Sequence, residues 1–114
     1  MIATEKVSQL VGKSFEQVCF AQYSIYIHLG NGIMVTVEAG LEHVHNGTRH
    51  VVQLSSPITE SSLLCILENT VASATVEENG DLQLTISNGD RLRIYKEPKY
   101  ESYRLKIGGK ELFP

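Results

Sequence analysis

The chain twice places an Asn-Gly turn between runs of alternating apolar and polar residues. A polypeptide patterned this way is driven toward paired antiparallel strands. The first copy reads IYIHLGNGIMVTV (25–37) and the second LQLTISNGDRLRI (82–94). With Asn31 set against Asn88, the apolar positions fall into line without gaps. Ile25, Ile27 and Leu29 match Leu82, Leu84 and Ile86, while Val35 and Val37 match Leu92 and Ile94. Each half is therefore expected to contain a β-hairpin with one apolar face.

Upstream the match continues once a single extra position is allowed for the longer ENGD turn at 78–81. Val7, Leu10 and Val11 correspond to Leu63, Ile66 and Leu67, at the i, i+3, i+4 spacing of a short amphipathic helix. Thr4 ahead of the first helix, and Thr59, Ser61 or Ser62 ahead of the second, are the N-cap candidates. Each half then reads helix, strand, strand, turn, strand. A further hairpin closed by Asn46-Gly47 spans 41–54, and a last strand around Tyr103–Ile107 ends at Gly108-Gly109. About eight strands and two helices of about two turns each make a β-rich α+β chain, because helices so small cannot cover a sheet. The expectation is a pseudo-duplicated antiparallel β-sandwich or half-barrel. It forms a single domain over 1–114, with halves of about 1–56 and 57–114.

Composition narrows the function. The 114 residues carry a net charge of −3, the wrong sign for holding nucleic acid by phosphate neutralisation, and there is no local Lys/Arg cluster. No apolar run approaches the roughly 18–20 residues of a membrane-spanning helix, and the opening residues lack a signal-peptide pattern, so a cytoplasmic protein is expected. Cys19 and Cys65 lie in apolar runs and read as buried free thiols.

Few residues suggest chemistry. Across the Asn46-Gly47 turn, His45 pairs with Thr48 and His43 with His50, so alternation puts His43, His45 and His50 on one face. Three imidazoles can hold a zinc ion, yet no carboxylate is placed beside them by the sequence, and a polar hairpin face is the simpler reading. There is no GxSxG elbow and no glycine loop opening a helix, and both cysteines sit in surroundings that raise a thiol pKa. The chain is expected to be neither an enzyme nor the carrier of a cofactor. Tyrosines are more suggestive: three fall within YKEPKYESY (95–103), where Pro98 should lift the segment from the sheet. Tyrosine suits a contact surface. Equally, Tyr95 or Tyr103 can close the end of the core with its hydroxyl bonded to a loop.

The stretch SNGDRLRIYKEPKYESY (87–103), with LVGKSFEQVCF (10–20) upstream, resembles a group of small bacterial proteins found among polymorphic toxin and contact-dependent inhibition systems. Gly89, Leu92, Ile94, Pro98, Tyr100, Glu101 and Tyr103 match its closing pattern. The resemblance implies an immunity protein that neutralises a cognate toxin domain, such as a nuclease, by stoichiometric binding, as monomer or homodimer. Such families share no catalytic residues. The expected partner face combines Glu77, Glu78, Asp81 and Asp90 with Glu97, Tyr100 and Glu101, whose acidity suits a basic partner. The alternatives are a small β-module binding a ligand or metal through His43, His45 and His50, and a structural domain that dimerises through a free strand edge at 33–37 or 51–54.

Overall fold

The computed structural model describes residues 2–54, 61–97 and 102–114. Among these residues ten strands form two five-stranded antiparallel sheets. The first contains β1 (Phe15–Phe20), β2 (Ile25–Leu29), β3 (Met34–Val37), β9 (Tyr103–Ile107) and β10 (Lys110–Leu112), in that spatial order. The second runs β5 (Thr48–Gln53), β4 (Gly40–His45), β8 (Arg91–Ile94), β7 (Leu82–Ile86) and β6 (Val71–Val76). The alternating residues behave as their pattern demands: Ile25, Ile27, Leu29, Val35, Val37, Leu82, Leu84, Ile86, Leu92 and Ile94 all turn into one shared core. The sheets stay open, so the architecture is a sandwich rather than a barrel.

Where they meet, the two halves are equivalent to the level of single hydrogen bonds. In the β1–β2 pair the register slips between Phe15 and Gln17, and in the β6–β7 pair between Val71 and Ser73, at corresponding positions. The halves meet at an isolated bridge between Ser14 and Thr70, which also correspond. Around it the Phe15 N–H donates to Asn69 O (2.8 Å) and the Val71 N–H to Lys13 O (2.9 Å). The Gly12 N–H donates to Val71 O (2.8 Å) and the Glu68 N–H to Phe15 O (3.0 Å). Each bond has its mate at the matching positions of the other half, as a pseudo-twofold axis through the bridge requires.

What alternation alone does not reveal is that the halves exchange hairpins. β4–β5, from the first half, joins β8 of the second sheet, with Leu41 opposite Ile94 and His43 opposite Leu92. β9–β10, from the second half, joins β3 of the first, with Tyr103 opposite Val37 and Leu105 opposite Val35. Each sheet thus contains strands of both halves.

Several expectations need correction. Gly108-Gly109 does not end the last strand but turns it into β10, because both glycines adopt positive φ. The helices are shorter than two turns. The first is a single α-turn, α1 (Thr4–Val7), running into a 3₁₀ turn (Ser8–Leu10), and the second is a 3₁₀ turn only (Leu63–Ile66). Val7, Leu10, Leu63 and Ile66 are nonetheless buried. Ala3, not Thr4, holds the first N-cap position. Thr59 and Pro98 lie outside the described residues, while Ser61 Oγ accepts the Leu63 N–H at 3.1 Å. Cys65 is exposed and Cys19 half-buried, both free, since the three-residue period of a 3₁₀ turn points Leu63 and Ile66 inward and Cys65 out. Met34–Val37 is not a free edge, being paired on both sides, whereas β5 is an edge strand among the described residues. Among the described residues no helix is long and apolar enough to cross a membrane.

Candidate functional site

One end of the sandwich core is polar, and it is built from both halves. Alternation along β4 sends Leu41 and His43 inward, and the strand's end brings His45 to the same side. The β7–β8 turn contributes Asp90, held by an Asx bond from its own N–H to Asn88 Oδ1 (2.9 Å). Ser62, immediately before the 3₁₀ turn, comes in from the other side.

His43 is fully buried and Asp90 nearly so. His43 Nε2 lies 2.7 Å from Asp90 Oδ2, and Nδ1 lies 2.6 Å from Ser62 Oγ. His45 Nδ1 lies 2.9 and 3.0 Å from the two Asp90 oxygens. Burial pushes the Asp90 carboxyl upward, but the bonds from His43, His45 and Asn88 outweigh it and hold the group below its ordinary pKa. Burial pushes His43 below the usual imidazole value, although Asp90 pulls the other way. An ionised carboxylate accepts only, so His43 Nε2–H and His45 Nδ1–H both donate to Asp90. The free lone pair of His43 Nδ1 then accepts the Ser62 hydroxyl proton. His50, directly opposite His43 on β5, stacks at 6.1 Å between ring centres without joining this network.

The His43–His45–His50 face anticipated from the hairpin is present, but Asp90 supplies the carboxylate that the sequence did not place there. Ser62 was missed as well. A signal existed in the comparison of halves: Asp90 occupies the position of Ile33, His43 that of Leu105, and His45 that of Ile107. Three apolar residues on one side of the pseudo-axis are matched by three ionisable ones on the other.

The anticipated acidic face is dispersed. Asp90 and Asp81 are buried; Asp81 accepts the Lys96 N–H (2.8 Å) and an Asn79 amide proton (3.2 Å). Glu77 pairs with Arg93 at 2.7 Å. Glu78 is exposed at the β6–β7 turn, Glu97 is half-buried with its N–H donating to Ser102 Oγ, and Tyr100 and Glu101 lie outside the described residues. Tyr103 is buried with its hydroxyl donating to Gly80 O (2.7 Å), and Tyr95 donates to Glu42 (3.2 Å), so both serve the fold.

The outward faces of the two sheets differ in chemistry. On the second, Glu42, Arg49, Arg91 and Arg93 dominate, with Arg49 paired to Glu42 at 2.6 Å. On the first, cross-strand neighbours place Cys19, Tyr26, His28, Met34 and Thr36 side by side, flanked by Arg104 and Lys106.

Fold and polar cluster together define a duplicated, hairpin-exchanged β-sandwich with ionisable residues at one of its two equivalent core ends. The chain belongs to DUF6188, a family of unknown function, whose model matches residues 7–113. Neither a curated protein nor a solved structure matches it.

Proposed function

We propose that the protein acts in the cytoplasm by stoichiometric binding to another protein, as an immunity protein does to a cognate bacterial toxin domain, and catalyses no reaction. The observation that carries this reading is the outward face of the first sheet. Tyr26 and Met34 stand on adjacent strands of an open sheet, with Thr36 between Tyr26 and Arg104. Tyrosine, methionine and arginine are the residue types enriched where proteins touch. A standard interface of roughly 800 Å² per partner would take about an eighth of the 6172 Å² surface. The resemblance of 87–103 to small bacterial proteins found in the company of polymorphic toxin systems supports the same reading.

The reading predicts a toxin gene directly upstream of this one, and the test mixes the toxin domain it encodes with this protein. Equimolar mixing should give a 1:1 complex by size-exclusion light scattering and abolish toxicity. Tyr26→Ala combined with Met34→Asp should weaken the complex by roughly 100-fold, the scale of removing an interface hot spot. Arg91→Ala on the opposite face should leave it unchanged. Absence of a complex, or an affinity indifferent to the Tyr26/Met34 change, defeats the reading. The β5 edge, unpaired among the described residues and with Val51 exposed, favours self-pairing as a second reading. The mass of the isolated protein by light scattering separates the two.

A further inference from the structure

We propose that His43, His45 and Asp90 form a site for one divalent transition-metal ion of the zinc type, with Ser62 as the outer partner of His43. This is independent of the contact face on the first sheet, which lies on the outside of the molecule.

The donor atoms, one from each residue, all lie within 4.8 Å of one another. Zinc bonds to nitrogen and oxygen are about 2.0–2.2 Å long, so tetrahedral ligands sit roughly 3.3 Å apart. The carboxylate is now 2.7 and 2.9 Å from the two imidazole nitrogens, bridged by their protons. An ion that takes the place of those two protons needs shifts on the order of 1 Å or less, of the side chains alone. Two imidazoles and one carboxylate, with a fourth position for water, suit zinc, cobalt or nickel and not the all-oxygen preference of magnesium or calcium. His45 is 27% exposed, which gives an ion a way in.

The surroundings already hold the ligands in the orientation that such a site requires. A metal-bound imidazole keeps its proton on the other ring nitrogen and donates it to a fixed acceptor. When His43 Nε2 binds the ion, its proton sits on Nδ1, facing Ser62 Oγ at 2.6 Å. When His45 Nδ1 binds, its proton sits on Nε2, facing the Asn46 side-chain amide at 3.3 Å, whose oxygen can turn toward it.

The other half of the molecule is the control. The same fold completes its core with Leu105, Ile107 and Ile33 at the positions of His43, His45 and Asp90, and of these Leu105 and Ile33 are buried. Ionisable groups are not needed there for folding, and well-packed apolar residues in place of a buried charged set are often neutral or stabilising. What the polar set adds is a capacity to bind.

The experiment titrates the full, metal-stripped chain with Zn²⁺ alone against a chromophoric chelator. One equivalent should bind. His45→Ala should lower affinity by more than the roughly 10–100-fold expected for Ser62→Ala, while His28→Ala and His50→Ala should leave it unchanged. The double variant His43→Leu/Asp90→Ile, which copies the apolar half at its two buried positions, should keep the circular dichroism of the parent and bind no ion. Should that variant fail to fold, His45→Ala, at the solvent-facing side of the cluster, decides the question. Failure of the parent chain to bind Zn²⁺, or binding that survives His45→Ala, overturns the proposal.

Discussion

Tyr103 shows how one side chain joins the two sheets. Its ring fills the core at the start of β9, in the first sheet, and its hydroxyl reaches the carbonyl of Gly80, in the β6–β7 turn of the second. Removing that donor leaves a buried carbonyl unpaired, so Tyr103→Phe should cost about 1–3 kcal/mol. Burial, and then the charge of Asp81, raise the phenol above its ordinary pKa of 10.0. The folded chain therefore holds this proton more tightly than the unfolded chain does. The contribution is complete below pH 10 and shrinks as pH rises beyond it. Urea denaturation of the parent and Tyr103→Phe should show a full stability gap at pH 8 and a narrower one at pH 11. An undiminished gap would mean that the phenol is not held protonated by the fold. Tyr103 was readable in advance as a tyrosine closing the core over a loop, because it begins an alternating strand. The ENGD turn it meets was legible as a turn, but nothing local joins it to a tyrosine 23 residues further on.

At the scale of elements, the pseudo-twofold crossing between Gly12 and Phe15 and its mate between Glu68 and Val71 carries a testable asymmetry. Gly12 adopts φ +84° and Glu68 φ +69°, the same left-handed corner in each half. Glycine occupies that region freely, and any other L-residue pays roughly 1–2 kcal/mol. A Cβ on Gly12 would meet nothing within 4 Å, so backbone strain alone should decide the outcome. Gly12→Ala is expected to destabilise by about 1–2 kcal/mol. Glu68→Gly should stabilise by about 0.5 kcal/mol, the relief of strain being partly offset by the greater freedom of glycine when unfolded. Denaturation midpoints of both variants check the pair of signs. Elements of this kind were legible to different depths. The hairpins were, because Asn-Gly between alternating runs leaves little else to form. The correspondence of the halves was legible too, and the register slips at Phe15/Gln17 and Val71/Ser73 follow it. The length of the second helical segment was not: Leu63 and Ile66 satisfy i, i+3 in either helix type, and only the backbone distinguishes a 3₁₀ turn from an α-turn. Asp90 beside His43 had no signal but the comparison of the halves, since the two are far apart in the chain and the NGD turn looks the same whether its aspartate points out or in.

For the whole molecule the exchange of hairpins has the largest consequence. A chain cut at 56/57 leaves each half with an exposed β3 or β8 edge, a hairpin whose own sheet lies in the other half, and a bare apolar face. Neither 1–56 nor 57–114 should fold as a monomer. Their interfaces are pseudo-equivalent, so self-pairing competes with true complementation, and the polar cluster decides between them. It takes His43 and His45 from the first half and Ser62 and Asp90 from the second. A homodimer of the first half would put those histidines where they meet Ile33, leaving buried imidazole nitrogens without their carboxylate. A homodimer of the second would set Asp90 against Leu105 and Ile107, leaving a buried carboxylate without donors. Unpaired buried groups of this kind cost several kcal/mol each, and such costs against wrong pairings are how specificity is obtained in self-complementary systems. Mixed fragments should therefore form a 1:1 heterodimer, seen by light scattering and by recovery of the β-sheet circular dichroism that each fragment lacks alone. Introducing His43→Leu and His45→Ile into the first fragment, as Leu105 and Ile107 stand in the second, removes the penalty and should let that fragment pair with itself. If the unaltered fragments homodimerise as readily as they combine, the cluster does not direct the pairing of the halves.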